Sequence, residues 1–154
     1  MNRPILVAED NPSDLELLHL ALERCNTRQP IVSVDDGQEA LDYLNHRGQF
    51  SSRPAGHPDF VLLDIKMPRV TGLEVLAAMR AAPEFRHIPV IALTSSREEL
   101  DIVRAYELGI NGYIVKAADF GEFRRDVASI RSMWGHLNEA PPRFRPHAAH
   151  STPI

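Results

Sequence analysis

The sequence predicts a doubly wound α/β fold built on a five-stranded parallel sheet, and two observations carry this prediction. Short runs of Val, Ile and Leu alternate along the chain with stretches in which apolar residues recur every three or four positions, so strands alternate with helices. The strand-like runs are continuously apolar, which is typical of parallel strands covered on both faces. Right-handed crossovers then place helices on both sides of the sheet.

The strands are predicted from apolar runs that are bounded by polar or turn residues. The four clearest runs cover residues 5–8, 60–63, 90–93 and 113–115. Residues 31–34 form a weaker fifth candidate. Together these runs supply one strand for each β-α repeat.

Helical patterns follow the first three strands. Asn11 and Pro12 provide an N-cap and a first-turn proline, and the apolar residues of this first helix share one face at positions 15, 18, 22 and 25. Residues 37–45 form a shorter helix candidate. A third apolar stripe consists of Val75, Leu76 and Met79. Pro83 ends this helix because proline cannot continue one.

Two further helices are predicted in the last third of the chain. The fourth ends at Gly109, which is well placed as a left-handed C-terminal residue, and its apolar positions are Leu100, Val103 and Leu108. The fifth is a long helix over residues 120–137. Its apolar residues recur at spacings of three and four and are Phe120, Phe123, Val127, Ile130, Trp134 and Leu137.

The chain is expected to form one folded domain over residues 1–137. Residues 138–154 contain four prolines and are expected to be an irregular or extended C-terminal extension, too short for a second domain. Residues 46–58 contain two glycines and two prolines and are predicted to form a surface loop before the third strand.

Composition excludes several classes of function. The formal net charge is −4 and the charges are interspersed, so the basic stripe needed for binding nucleic acid is absent. The apolar runs are too short to cross a bilayer and the N-terminus lacks a signal pattern, which indicates a cytoplasmic protein with no membrane partner. The single cysteine, Cys25, is interpreted as a core residue.

Polar residues stand where the predicted strands end. Glu9 and Asp10 follow the first strand, Asp64 the third, Thr94 the fourth and Lys116 the fifth. Ligands of open α/β sheets bind at this edge. Clustered carboxylates repel one another unless a cation compensates, and magnesium prefers such hard oxygen ligands. A carboxylate beside that ion can act as a nucleophile toward phosphorus, with the lysine neutralising charge and the threonine donating a hydrogen bond.

Each residue also has a simpler interpretation when taken alone. The acids before Asn11 could favour a helix N-terminus. Asp64 could be a turn residue, Thr94 a helix cap and Lys116 a solvated surface charge. Their coincidence at successive strand ends favours a functional site. Asp35 and Asp36 also end a strand, but Asp36-Gly37 is interpreted as turn and cap chemistry and is left out of the site.

Four motifs with their joint spacing resemble the receiver domains of two-component response regulators. They are Glu9-Asp10-Asn11, Asp64-Ile65-Lys66-Met67-Pro68 with Gly72, Thr94-Ser95, and Tyr113-Ile114-Val115-Lys116. The resemblance covers about residues 4–137 and implies the flavodoxin-like receiver fold, with strand order 2-1-3-4-5. The long loop, Pro68-Arg69 and the stretches around Asp101 and Tyr106 resemble the small regulators paired with phytochrome-type kinases.

The resemblance also implies a role for each motif. Asp64 would be the acceptor of a phosphoryl group from a histidine kinase, and Lys116 would contact the phosphate. Glu9 and Asp10 would hold Mg²⁺ together with Asp64 and the backbone carbonyl of Lys66. Thr94 and Tyr113 would form the switch pair that changes a partner-binding surface.

One departure from the family pattern lies directly after the lysine. The family usually has proline there, often with a cis peptide bond, whereas this chain has Lys116-Ala117. A cis bond without proline costs about 3–4 kcal/mol, so either strain is tolerated or the bond is trans and the lysine approaches differently. This departure leaves open a degenerate receiver that acts as a scaffold without phosphorylation.

An enzyme is a second alternative. A magnesium-dependent phosphatase with an aspartyl nucleophile would share several of these residue types. Such enzymes typically have a second acid two residues after the nucleophile, where this chain has Lys66.

The signal is expected to leave through a protein partner, because no output domain follows in this sequence. The last helix extends its apolar stripe to Trp134 and Leu137. This stripe either packs back on the same domain or covers a second subunit. We expect a homodimer formed by the face of the fourth helix, fifth strand and fifth helix, together with a C-terminal arm.

Overall fold

The computed structural model describes residues 3–24 and 29–142. Five parallel strands form one sheet in the order β2-β1-β3-β4-β5, which confirms the predicted fold class. The strands are β1 (Ile5–Ala8), β2 (Ile31–Val34), β3 (Phe60–Leu63), β4 (Val90–Thr94) and β5 (Gly112–Val115). The weak second candidate is therefore a strand, and β4 and β5 are each one residue longer than predicted.

Five α-helices alternate with the strands, as the sequence predicts. They are α1 (Pro12–Glu23), α2 (Gly37–Leu44), α3 (Gly72–Ala81), α4 (Glu99–Glu107) and α5 (Phe120–Ile130). The predicted long last helix changes character after α5, because residues Arg131–Leu137 form the wider turns of a π-helix. The predicted loop before β3 contains a 3₁₀ turn at Gly48–Phe50.

The helix ends are fixed by the residues that the sequence places there. Asn11 caps α1 by accepting hydrogen bonds from the backbone N–H groups of Ser13 and Asp14. Asp36 caps α2 and also accepts a 3.0 Å hydrogen bond from the Arg69 guanidinium, so its predicted cap role is confirmed. Thr71 and Glu74 form a capping box on α3.

The core has two layers, one on each face of the sheet. Odd and even positions of each strand point to opposite faces. Leu6 and Leu63 join the layer covered by α2, α3 and α4. Ile5 and Leu62 join the layer covered by α1 and α5. The central strands β1, β3 and β4 are buried at every position, which explains why they are continuously apolar.

The apolar stripe of α4 does not face this core. The helix itself is confirmed, but the Leu100 and Val103 residues are 66% and 45% exposed, while Asp101 and Ala105 are buried. Leu108 is the one residue of the predicted stripe that packs against the core.

Two sequence interpretations fall beyond the described residues. Cys25 and residues 143–154, which make up most of the predicted C-terminal arm, lie outside them. Among the residues that are described, no helix has both the length and the apolar character needed to cross a bilayer.

Candidate functional site

The sheet register brings the acidic strand ends together. Ala8 of β1 pairs with Leu63 of β3, so Glu9 and Asp64 leave neighbouring strands at the same level. The Asp64 backbone N–H donates to the Ala8 carbonyl at 3.0 Å. Carboxylate oxygens of Glu9, Asp10 and Asp64 lie within 4.8 Å of one another. The predicted acidic cluster is therefore formed at the carboxyl edge of the sheet.

Lys116 closes this cluster from the end of β5, which is separated from β3 by β4. Its backbone N–H donates to the Thr94 carbonyl at 2.8 Å, which fixes it beside β4. Its Nζ lies 2.6 Å from Glu9 Oε2 and 3.5 Å from Asp64 Oδ2. The amine and the acids thus share one side of the molecule, which is the arrangement that a phosphoryl-handling site requires.

Asp14 is a site residue that the sequence reasoning missed. Its Oδ2 lies 2.8 Å from Lys116 Nζ, closer than any Asp64 oxygen. Asp14 stands in the first turn of α1, where an acid ordinarily interacts with the helix dipole. The sequence did contain one indication, because the first turn of α1 lies only a few residues after Glu9 and Asp10.

The local electrostatics follow from burial of like charges. Burial and the nearby Asp64 carboxylate together raise the pKa of Glu9 to about 7, against hydrogen bonds from Lys116 and from the Asn11 N–H. Burial alone would lower the pKa of Lys116, but hydrogen bonds to Asp14 and Glu9 raise it above its ordinary value. The site therefore holds more negative charge than one ammonium compensates.

This donor set fits a divalent cation. Three carboxylates offer hard oxygen atoms within mutual reach, and a dication bound there would favour the ionised form of Glu9, whose pKa is raised mainly by burial. Magnesium binds through one or two such carboxylates with waters completing its shell.

The loop after Asp64 is built around a glycine. The Gly72 N–H donates to the Ile65 carbonyl at 2.9 Å, and a Cβ at residue 72 would lie 2.1 Å from the Asp64 carbonyl oxygen. The Lys66 N–H donates to Asp64 Oδ1 at 3.3 Å. The Lys66 side chain instead pairs with Asp101, with its Nζ 3.2 Å from Oδ2.

The two proposed switch residues are connected through Ser96. Thr94 is fully buried, and its Oγ1 accepts a 3.3 Å hydrogen bond from the Ser96 N–H. The Tyr113 hydroxyl donates to the Ser96 carbonyl at 3.0 Å. Ser96 Oγ donates to Asp101 Oδ2 at 2.6 Å. This hydrogen bond holds the pKa of the Asp101 carboxyl below its usual value, with Lys66 adding to the effect.

No cis peptide bond occurs in the described part of the chain, so the Lys116-Ala117 bond is trans. Of the two options that the missing proline left open, the structure shows the trans bond. Lys116 nevertheless reaches the acidic cluster.

Fold and site together define a class of protein: a doubly wound α/β receiver domain with an acidic cluster and a lysine at its carboxyl edge. The chain belongs to the response regulator receiver domain family, whose model matches residues 5–128. It is therefore a signalling domain of two-component systems, and the phosphatase alternative is not supported.

Known response regulators align with most of the length of this chain. It is 32% identical to the response regulator Rcp1 of Synechocystis over 130 residues, which is 84% of this chain and 87% of Rcp1. A phosphorylated cyanobacterial phytochrome response regulator, RcpA, matches with a TM-score of 0.86 and 34% identity over 92% of this chain and all of its own. The bacteriophytochrome response regulator AtBRR is 51% identical, with a TM-score of 0.73 over 90% of this chain and 99% of its own.

A further solved structure bears on the metal. The Mn²⁺-bound form of Rcp1 matches with a TM-score of 0.84 and 31% identity over 91% of this chain and 99% of its own. Receiver domains bind a divalent metal, and the acidic cluster of this chain is consistent with that property.

Proposed function

We propose that this protein is a single-domain response regulator that accepts a phosphoryl group on Asp64 from a histidine kinase. The observation that carries the proposal is the position of Asp64, whose carboxylate lies within 4.8 Å of those of Glu9 and Asp10 and 3.5 Å from Lys116 Nζ. In this proposal residues 1–137 form the receiver domain and residues 138–154 a proline-containing C-terminal extension. The protein acts in the cytoplasm.

Glu9, Asp10, Asp64 and the Lys66 carbonyl would hold Mg²⁺. Bound there, the ion would neutralise charge on the oxygens of the transferring phosphoryl group. A carboxylate oxygen of Asp64 attacks phosphorus in line while the bond from phosphorus to the kinase histidine breaks. Lys116 compensates charge on the same oxygens and Thr94 donates a hydrogen bond to one of them.

The signal would then pass from Thr94 to Tyr113. If Thr94 turns toward the phosphoryl group, its hydroxyl leaves the Ser96 N–H, and the Ser96 carbonyl that Tyr113 contacts is free to move. Tyr113 then occupies the vacated space. The surface formed by α4, β5 and α5 changes in consequence.

A phytochrome-type histidine kinase is the proposed phosphoryl donor. The 51% identity to AtBRR and 48% identity to RtBRR support it, because both are bacteriophytochrome response regulators. We further propose a homodimer through the α4-β5-α5 face and the C-terminal arm. The exposed α4 side chains Leu100, Val103 and Tyr106 support this face.

The test is radioactive labelling of the full chain by a phytochrome-type kinase and by acetyl phosphate, with Mg²⁺ present. Asp64→Asn should abolish labelling. Asp35→Asn, which removes an exposed acid at the end of β2, is the matched control and should label normally. Stoichiometric labelling of the Asp64→Asn variant would show that another residue is the phosphoryl acceptor.

Beryllofluoride binding distinguishes a phosphorylatable receiver from a degenerate receiver that acts only as a scaffold. A phosphorylatable receiver should bind it only with Mg²⁺ present, since the metal site and Asp64 together form the binding site. A scaffold that is never phosphorylated should not bind it at all.

A further inference from the structure

The amine of Lys116 has more than one anionic partner. Its side chain is 10% exposed, and its Nζ contacts Glu9 at 2.6 Å, Asp14 at 2.8 Å and Asp64 at 3.5 Å. The proposed acceptor is therefore the most distant of the three carboxylates. The position of this amine is set mainly by Glu9 and Asp14.

A divalent ion would take away one of these two partners. Glu9 belongs to the group of three carboxylates that can share an ion, together with Asp10 and Asp64. A Glu9 carboxylate that turns to a metal no longer holds the ammonium at hydrogen-bond distance. Asp14 is outside that group of ligand atoms, so a bound ion would leave its contact with Lys116 in place.

The position of the Asp14 carboxylate is fixed by the start of α1. Its backbone N–H donates to Asn11 Oδ1 at 3.1 Å in the cap of α1, and an aspartate has only two side-chain torsions to fix. A short side chain on a capped helix turn fixes a charge at low entropic cost. Its exposed fraction of 34% leaves it in contact with water on one side.

We propose that Asp14 is a positioning residue that keeps the Lys116 ammonium beside Asp64 while the metal occupies Glu9. The inference rests on the proposed function, since the amine is positioned for a phosphoryl group on Asp64. Asp14 touches neither the phosphoryl group nor the metal in this role. It acts through Lys116 alone.

The test is the rate of acetyl phosphate labelling of the full chain at saturating Mg²⁺. Asp14→Asn should slow labelling about tenfold, which equals about 1.4 kcal/mol of lost transition-state stabilisation. Asp14→Glu should recover part of the rate because it restores the anion. Glu16→Gln removes the same charge from an exposed position of α1 and should leave the rate unchanged.

A double-mutant cycle separates positioning from a general charge effect. In a Lys116→Met background, Asp14→Asn should cause no further loss. A rate for Asp14→Asn equal to that of Glu16→Gln, or an undiminished loss in the Lys116→Met background, would overturn the inference while leaving the proposed function intact. Absence of any labelling of the wild-type chain would overturn both.

Folding of each variant is checked by urea unfolding. If Asp14→Asn does not fold, Asp14→Ser provides the same test, because serine also removes the carboxylate. It should show the same loss with Lys116 present and none without it.

Discussion

Gly72 lies so close to Asp64 that a Cβ on residue 72 would be 2.1 Å from the Asp64 carbonyl oxygen and 2.8 Å from Ile65 Cα. Both neighbours are backbone atoms, one of the proposed phosphoryl acceptor itself and one of the residue that follows it. The glycine therefore determines where the Asp64 carboxylate stands, and it also starts α3.

Gly72→Ala should lower the free energy of unfolding by about 1–3 kcal/mol, as expected for forced overpacking. It should also weaken Mg²⁺ binding, because the Asp64 backbone must shift away from Glu9 and Asp10. Urea unfolding and metal titration measure the two effects. Gly112→Ala is the control, since its new Cβ would meet Ile91 at an ordinary 3.6 Å. Equal effects of the two substitutions would contradict the close-packing argument.

Glu9 makes the stability of the metal-free protein depend on pH. Burial raises its pKa from 4.5 to about 7, so between these values the folded state binds more protons than the unfolded state. Stability should therefore fall as pH rises through this window and level off above about 7. Unfolding free energies measured in chelator across this range should show the slope, and Glu9→Gln should flatten it. Mg²⁺ affinity should rise over the same window. An unchanged slope in Glu9→Gln would assign it to other groups.

The fold was predictable because the three central strands, β1, β3 and β4, are buried on both faces. Continuous apolar runs such as 60–63 have few alternatives to a covered parallel sheet, and strand-end positions then follow from topology. Two features were not predictable in this way. The first is the orientation of α4, because an apolar stripe in the sequence does not show whether it faces the core or the solvent. Leu100, which belongs to this stripe, is exposed.

The contact between Asp14 and Lys116 could not be predicted either. It joins residues 102 positions apart, and an acid in a first helical turn already has a local explanation in the helix dipole. The contact exists only in the folded chain, where the first turn of α1 and the end of β5 lie at the same edge of the sheet.

Asp101 should stabilise the connection between the β4-α4 loop and the loop after β3. It accepts a 2.6 Å hydrogen bond from Ser96 Oγ and pairs with Lys66. Asp101→Asn weakens a buried charge-assisted hydrogen bond, so the free energy of unfolding should fall by about 1–2 kcal/mol. Urea unfolding measures this. Glu99→Gln, an exposed acid on the same helix, should change stability little, and an equal loss there would point to the charge of α4 as a whole.

The exposed side of α4 makes the proposed dimer testable. Leu100 and Val103 are 66% and 45% exposed, and two charges at these positions would have to be buried in an interface, which is costly without partners. The double variant Leu100→Glu with Val103→Glu should sediment as a monomer rather than a dimer. Its urea unfolding should be that of a folded protein. Leu17→Glu introduces a charge on α1, where Leu17 is 37% exposed, and should leave the dimer intact.

A truncated chain that ends at Leu137 separates the two proposed parts of the interface. If the C-terminal arm crosses to the second subunit, truncation should weaken the dimer by itself, because apolar contacts supply most of the free energy of association. If α4 alone carries the interface, the truncated chain should sediment as the full chain does, and only the double glutamate variant should dissociate. If the wild-type chain sediments as a monomer at every accessible concentration, the proposed dimer is wrong. The protein would then be a monomeric regulator whose α4 surface binds a different protein.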